Sequence, residues 1–198
     1  MPRSHEDTRQ QILHTAERLF AAGGFDATSV AEICLAAGVS KGAFYHHFAS
    51  KHDLFLELLD TWLAALDAGF ETAVQETADV PTALRSMAEL VAHGLQRPEV
   101  RLGMFVEFWA HAQRDPVIWE RAAEPYARYR AYFEHLIREG IARGDFRQVS
   151  PQQGALLLTS TALGVLMQAQ FAPDAEVWGE MLPATVGLLL EGLQEKRA

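Results

Sequence analysis

The segment from 29 to 55 constrains the fold most, because its helix boundaries can be read from single residues. Ser29, with Glu32 three positions later, matches a capping box and predicts a helix that begins immediately after the serine. Gly38 stands where a left-handed residue usually closes a helix, and Ser40 is a second N-cap. Two short helices joined by a tight glycine turn are the layout of a helix-turn-helix.

The second helix of this pair has one apolar face and one polar face. Phe44 and Phe48 lie four positions apart and should point inward. The opposite face carries two small residues among a lysine, a tyrosine and a histidine: Lys41, Gly42, Ala43, Tyr45 and His46. Small residues near a helix N-terminus let the backbone approach a groove, and the free N–H groups suit phosphate. By itself, the layout fits a core hairpin as well as a DNA reader.

The particular residues resemble a known family. The family pattern is present as Gly24-Phe25, Thr28-Ser29, Ala37 to Gly42, Phe44-Tyr45, His47-Phe48, Ser50-Lys51 and Leu54-Phe55. Over residues 9–55 the chain resembles, without a gap, the N-terminal domain of the tetracycline-repressor (TetR) family of bacterial regulators. The remainder of the chain is similar only in helix count and rough spacing.

The resemblance implies a set of DNA contacts. It assigns base edges or nearby backbone to Lys41, Gly42, Ala43 and His46, phosphates to Tyr45 and Lys51, and backbone contacts to Ser29 and Ser40. Whether Lys41 or His46 reads a base stays open. The resemblance also implies a homodimer on a double-stranded, near-palindromic operator with half-sites about 34–36 Å apart. In this family, repression of transcription is more common than activation.

Composition agrees with such a protein. The chain has 198 residues, of which 49% are hydrophobic, enough for a small reading domain and a larger core. A single cysteine excludes an intrachain disulfide and suits a reducing cytoplasm, where we expect the protein. Its N-terminus does not resemble a signal peptide, and no apolar stretch is long enough for a membrane span.

Charge is less favourable for a partner that is a nucleic acid. The whole chain carries −9. Residues 1–55 hold five Lys+Arg and six Asp+Glu, a net of −1, and residues 56–198 hold twelve and twenty, a net of −8. Five of the eight histidines also lie in residues 1–55. We therefore expect DNA binding to depend on a few specific contacts, whose number dimerisation doubles, rather than on a large positively charged surface.

Hydrophobic periodicity predicts an all-α chain of about nine helices without strands. The expected division is a TetR-type helix-turn-helix domain at 1–52 and an effector-binding and dimerisation domain at 53–198. The predicted helices after the reading domain begin near Lys51, Pro81, Pro98, Pro116, Pro151 and Pro173.

The C-terminal part is rich in large apolar and aromatic residues. Taken singly, most are core residues, but the resemblance implies a ligand cavity among helices 4 to 8. Such walls suit a small apolar, aromatic or cationic effector. Glu107 could pair with a cation there, with Arg101 or Arg114, or with none. The candidate lining is Trp62, Leu66, Phe105, Phe108, Trp109, Tyr126, Tyr129, Phe133 and Met167.

The last two helices carry more apolar residues than one inward stripe needs, which favours a partner. The resemblance implies that they form a two-fold four-helix bundle. The candidate dimer residues are Leu158, Ala162, Leu166, Leu182, Val186, Leu189 and Leu193.

Two other classes are weaker alternatives. An all-helical enzyme lacks support, since the sequence shows no His pair at metal spacing, phosphate loop or nucleophile elbow. His46, His47 and His52 form the only histidine cluster, and adjacent helical residues point about 100° apart. No catalytic residue, metal or cofactor is therefore expected. A DNA-binding protein that is controlled by a protein partner, or that has no effector, stays open.

Overall fold

The computed structural model describes residues 5–95, 102–169 and 175–194, and in these ranges all regular structure is helical. This confirms the all-α prediction. The described helices are α1 (His5–Gly23), α2 (Val30–Ala37), α3 (Lys41–His47), α4 (Lys51–Glu76), α5 (Val80–Leu95), α6 (Leu102–Ala112), α7 (Pro116–Arg143), α8 (Pro151–Gln168) and α9 (Ala175–Leu193). The predicted starts of the sixth and ninth helices, at Pro98 and Pro173, lie outside the described residues.

The chain forms two compact units, and the first contains residues on both sides of position 52, where the sequence places its domain boundary. The first unit comprises residues 5–63 and 102–122 of the described chain. The second comprises 64–95, 123–169 and 175–194. The first thirteen residues of α4 and the whole of α6 therefore belong with the helix-turn-helix.

The core of the first unit is aromatic at its centre. Phe20, Phe25, Phe44, Phe55 and Phe108 have at most 1% of their surface exposed. Cys34 is buried in the same core, as a packed small residue. Because α1, α2, α3, α4 and α6 all contribute, burial of this core holds the two short helices α2 and α3, which are too short to be stable alone.

The second unit is a separate helical core in which α9 packs against α5 and α8. Its buried residues come from α4, α5, α7, α8 and α9, and include Phe70, Met87, Ile137 and Leu182. Among the described helices, none is long and apolar enough to span a membrane.

Candidate DNA-binding face

The N-termini of α2 and α3 are capped as the sequence predicts. The Ser29 hydroxyl accepts the Glu32 backbone N–H at 3.2 Å, and the Glu32 carboxylate accepts the Ser29 N–H at 2.7 Å. The Ser40 hydroxyl accepts the Ala43 N–H at 3.0 Å. Both serine hydroxyls use an oxygen lone pair here, so each O–H remains able to donate to a phosphate.

The turn between the two helices depends on one glycine. Gly38 has φ +64° and ψ +37°, in the left-handed region that favours glycine. Its N–H donates to the Leu35 carbonyl, and the Val39 N–H donates to the Cys34 carbonyl. These bonds close α2 and direct the chain into α3.

The exposed face of α3 presents the side chains expected to meet DNA. Lys41, Gly42, Tyr45 and His46 are exposed and Ala43 is half-buried, while Phe44 is fully buried beneath them. A β-carbon added at Gly42 would meet only the Ser40 hydroxyl, at 3.7 Å, an ordinary contact. Nothing within the described chain requires glycine there, which leaves close approach of an outside molecule as a reason for it.

Lys51, which is expected to contact phosphate, has its ammonium group directed at backbone carbonyls of the protein itself. Its ammonium donates to the carbonyls of Phe25 at 2.6 Å and Thr28 at 2.9 Å, and it lies 4.2 Å from the centre of the Phe25 ring. Burial lowers the pKa of Lys51, against the opposing effect of Asp26 and nearby acids. The lysine therefore links α4 to the α1–α2 turn in this structure, and its expected phosphate contact stays a prediction.

The same turn is held from α6, which the sequence did not indicate. The Glu107 carboxylate accepts the Asp26 backbone N–H at 3.1 Å, and His111 Nε2 lies 2.6 Å from the Asp26 carboxylate. Gly24 has φ +86°, and a β-carbon there would lie 2.7 Å from Glu107 Oε2. Glu107 thus contacts the turn that leads into α2. Among the described residues Glu107 pairs with this turn and not with Arg114, and Arg101 lies outside the described residues.

Three of the expected pocket residues belong to the core of the first unit. Phe108 is fully buried, and Trp62 and Trp109 pack against the same core. The Trp62 indole donates to Glu17 Oε1 at 2.9 Å. The side chain of Phe105 lies outside the described residues.

The remaining expected pocket residues lie in the second unit, where Phe133 lines an apolar cavity. Tyr126 and Met167 are exposed, and Leu66 is half-buried. The Tyr129 hydroxyl donates to Asp67, which also pairs with Arg128. The cavity has a volume of about 50 Å³, and its lining is Phe70, Leu84, Met87, Ala88, Val91, Phe133, Leu158, Ala162, Leu182 and Val186.

Most of the expected dimer residues are buried within the single chain. Leu158, Leu182, Val186 and Leu193 are at most 5% exposed within a single chain, so they have almost no surface left for a second copy. Ala162, Leu166 and Leu189 are half-buried. The outward apolar side chains of α8 and α9 are instead Leu156, Leu157, Leu163, Met167, Met181 and Leu188.

Family comparisons agree with the geometry of the first unit. Residues 12–58 match the model of "Bacterial regulatory proteins, tetR family". Residues 80–193, more than half of the chain, match that of "BetI-type transcriptional repressor, C-terminal".

Individual relatives are also transcriptional regulators. The chain is 29% identical to the regulator AcrR of Shigella flexneri, over 94% of this chain and 89% of that protein. It is 31% identical to the repressor KstR2 of Mycobacterium tuberculosis, over 70% and 69%. A Saccharomonospora viridis regulator solved with choline has the same fold, with a TM-score of 0.81, 23% identity, and coverage of 96% of this chain and 100% of that one. The chain therefore belongs to the TetR family of bacterial DNA-binding transcriptional regulators.

Proposed function

We propose that this regulator is a dimeric repressor that binds a near-palindromic operator and leaves it when a small effector binds. The main support for this proposal is the exposed face of α3. The opposite side of this helix packs into an aromatic core, and the exposed residues are Lys41, Gly42, Tyr45 and His46. The O–H groups of Ser29 and Ser40 stand at the two helix N-termini, where phosphate is favoured. TetR regulators bind DNA as dimers, which presents two such faces to successive major grooves.

The exposed apolar stripes of α8 and α9 are the proposed dimer face. Leu156, Leu163 and Met167 follow helical spacing on α8, as do Met181 and Leu188 on α9. Neighbouring helices with outward leucines and methionines are typical of a surface that a partner covers. The occupant we propose is a second copy of the chain, related by a two-fold axis.

Helix α6 is the proposed route from effector to DNA. Through Glu107 and His111 it holds the α1–α2 turn, and through Phe108 it packs on α4. A shift of α6 would therefore move the turn that leads into the Ser29 cap. The effector must bind the DNA-free arrangement better than the DNA-bound one, because a ligand shifts an equilibrium only by its differential affinity.

The cavity of the second unit favours an uncharged apolar effector over a cation. Its ten lining residues are all apolar. The carboxylate of Asp67, on the same helix as the lining residue Phe70, is already paired with Arg128 and Tyr129. Since the cavity of about 50 Å³ is far below the roughly 300 Å³ of a small-molecule site, binding requires the lining to open. The choline of the S. viridis structure makes a cation the alternative to test.

The test begins with selection of bound duplexes from a random-sequence pool by the full chain. We expect a near-palindrome whose half-sites lie one helical turn apart. The selected duplex is then titrated with 1-dodecanol or choline as probes. Release by dodecanol alone supports the apolar effector, and release by choline alone supports the cation. Release by neither favours control by a protein partner or no effector, and recovery of no sequence contradicts the repressor proposal.

A further inference from the structure

Three histidines meet beside the proposed DNA-binding face. His5 begins α1, and His46 and His47 end α3. The ring centre of His5 lies 5.0 Å from that of His46 and 4.1 Å from that of His47, and the last two are 5.4 Å apart. We call these three residues the histidine cluster. The sequence placed His46 and His47 together but gave no sign that His5 joins them.

The members differ in exposure. His5 and His46 are exposed, and His47 is half-buried behind them. The Nδ1 atom of His47 is buried and has no hydrogen-bond partner among the described residues. No group of three potential ligands in the described part of the chain is arranged to hold a metal ion. The cluster is therefore a group of three neighbouring imidazoles in which one buried nitrogen, His47 Nδ1, lacks a partner among the described residues.

Few negative charges surround the histidine cluster to balance its positive charge when the imidazoles are protonated. From α1, Glu6 and Arg9 face it, with opposite effects on protonation. Arg9 also pairs with Glu57 of α4. Helix α3 itself carries no acidic residue, and its only other cation is Lys41. Burial first, and then His5, His46 and Arg9, lower the pKa of His47. An outside anion is thus the partner that a protonated cluster needs.

Whereas the protonated cluster lacks nearby anions, the first part of the chain lacks cations. Residues 1–55 carry five Lys+Arg against six Asp+Glu, a net of −1, which is unusual for a surface that meets phosphates. Its one lysine on the α3 face is Lys41, because Lys51 is tied to backbone carbonyls. Imidazolium groups at the end of α3 would supply the missing positive charge, and the helix C-terminus also favours cations.

We propose that the histidine cluster is a phosphate-binding element that takes up protons when the α3 face docks on DNA. Operator binding is then proton-linked: phosphate stabilises the charged imidazoles, so affinity rises as pH falls through the imidazole range. Each proton taken up changes the affinity by up to about tenfold per pH unit, and a dimer carries two clusters. This inference rests on the proposed DNA-binding function.

The experiment measures affinity of the full chain for two duplexes between about pH 6 and 8.5, at constant ionic strength. One duplex is the sequence selected from the random pool, and the other is a fixed mixed sequence of equal length. The variants are His5→Gln with His46→Gln, and His5→Arg. His14→Gln is the matched control, since His14 is an exposed α1 histidine outside the cluster. His111→Gln removes the other histidine that contacts the α1–α2 turn.

We expect the unaltered chain to gain about tenfold or more in affinity per unit fall in pH, on both duplexes. The double glutamine variant should lose this dependence, whereas His14→Gln and His111→Gln should keep it. His5→Arg should bind more tightly than the unaltered chain at high pH, because its charge is permanent. Calorimetry in two buffers of different ionisation enthalpy should show proton uptake on binding.

Three results would overturn the inference. They are a flat pH profile for the unaltered chain, an undiminished slope in the double variant, and a slope abolished by His14→Gln or His111→Gln. Specific binding with a flat profile overturns the histidine inference alone. Failure to bind either duplex at any pH overturns the DNA-binding proposal as well, so the two failures are distinguishable.

Discussion

The ring of Phe108 on α6 stacks on the ring of Phe55 on α4, with centroids 4.3 Å apart and planes inclined by 17°. Phe25, from the α1–α2 turn, meets both rings nearly edge-on. These three rings therefore join the start of α4, the proposed transmitting helix α6 and the turn before α2.

Truncation of Phe108 should destabilise the first unit strongly. Phe108→Ala removes a fully buried ring and should cost about 3–5 kcal/mol in the free energy of unfolding. Val106→Ala, at an exposed position of the same helix, is the control and should cost well under 1 kcal/mol. Denaturant titration measures both. Equal losses would mean that the stack does not hold α6 in place.

Of the two lysines near the DNA-binding face, Lys51 should contribute to stability and Lys41 to DNA binding. Lys51→Met leaves the carbonyls of Phe25 and Thr28 without a donor and should cost about 2 kcal/mol of stability. Lys41→Met should leave stability nearly unchanged, and should lower the slope of log affinity against log salt by about 1 per protomer. Unfolding and salt-dependent binding are measured on both variants. A reduced salt slope for Lys51→Met, at unchanged stability, would instead support its expected role as a phosphate anchor.

Two glycines with positive φ allow the Glu107 contact to be measured. Gly24→Ala and Gly38→Ala both incur about 1–2 kcal/mol of left-handed strain. Only the first places a β-carbon against Glu107, because nothing lies within 4 Å of the other. Gly24→Ala should therefore lower the free energy of unfolding more than Gly38→Ala does. When Glu107→Ala is combined with Gly24→Ala, most of this excess loss should disappear. Equal costs for the two glycine variants would contradict a close contact between Glu107 and the turn.

The sequence predicts the local features of the site and misses the long-range ones. The Ser29 and Ser40 caps, and the outward face of α3, depend on residues a few positions apart, and periodicity is enough to find them. The bond between Asp26 and Glu107 joins residues 81 positions apart, and no local pattern encodes it.

The dimer face shows a second limit of sequence reading. Helix α8 is apolar on more than one side, so periodicity alone could not decide whether Leu156 or Leu158 points outward. The structure buries Leu158 and exposes Leu156. The choice depends on which side of α8 packs against α9, and that is set by tertiary packing.

The outward stripes of α8 and α9 should control association. Leu163→Asp and Leu188→Asp each place a charge in the proposed dimer face, at a cost of about 3 kcal/mol, or roughly a hundredfold in dimer dissociation constant. Val117→Asp makes the same change at an exposed position of α7 and should not affect association. Sedimentation equilibrium measures the constant. Unchanged association in both leucine variants would place the dimer face elsewhere.

The capping box at Ser29 should make stability depend on acidity. Hydrogen bonds from the Ser29 backbone and side chain lower the pKa of Glu32 below its ordinary value of 4.5. A carboxylate with a depressed folded-state pKa stabilises the fold above its unfolded pKa, and that contribution is lost as pH falls through the folded value. The melting temperature of the unaltered chain should therefore exceed that of Glu32→Gln by a constant amount above about pH 5. The difference should shrink below that pH, and a difference that grows on acidification would contradict the cap.

The most direct test of the central claim is equilibrium binding of the double variant Lys41→Ala, Tyr45→Ala to the duplex selected by the unaltered chain. Both side chains are exposed on α3, so the fold should survive, as circular dichroism can verify. We predict that specific affinity falls by at least about a hundredfold, which corresponds to the loss of about 3 kcal/mol of DNA contacts in the whole complex. Undiminished, sequence-specific binding by the folded double variant would contradict the assignment of α3 as the DNA-reading helix.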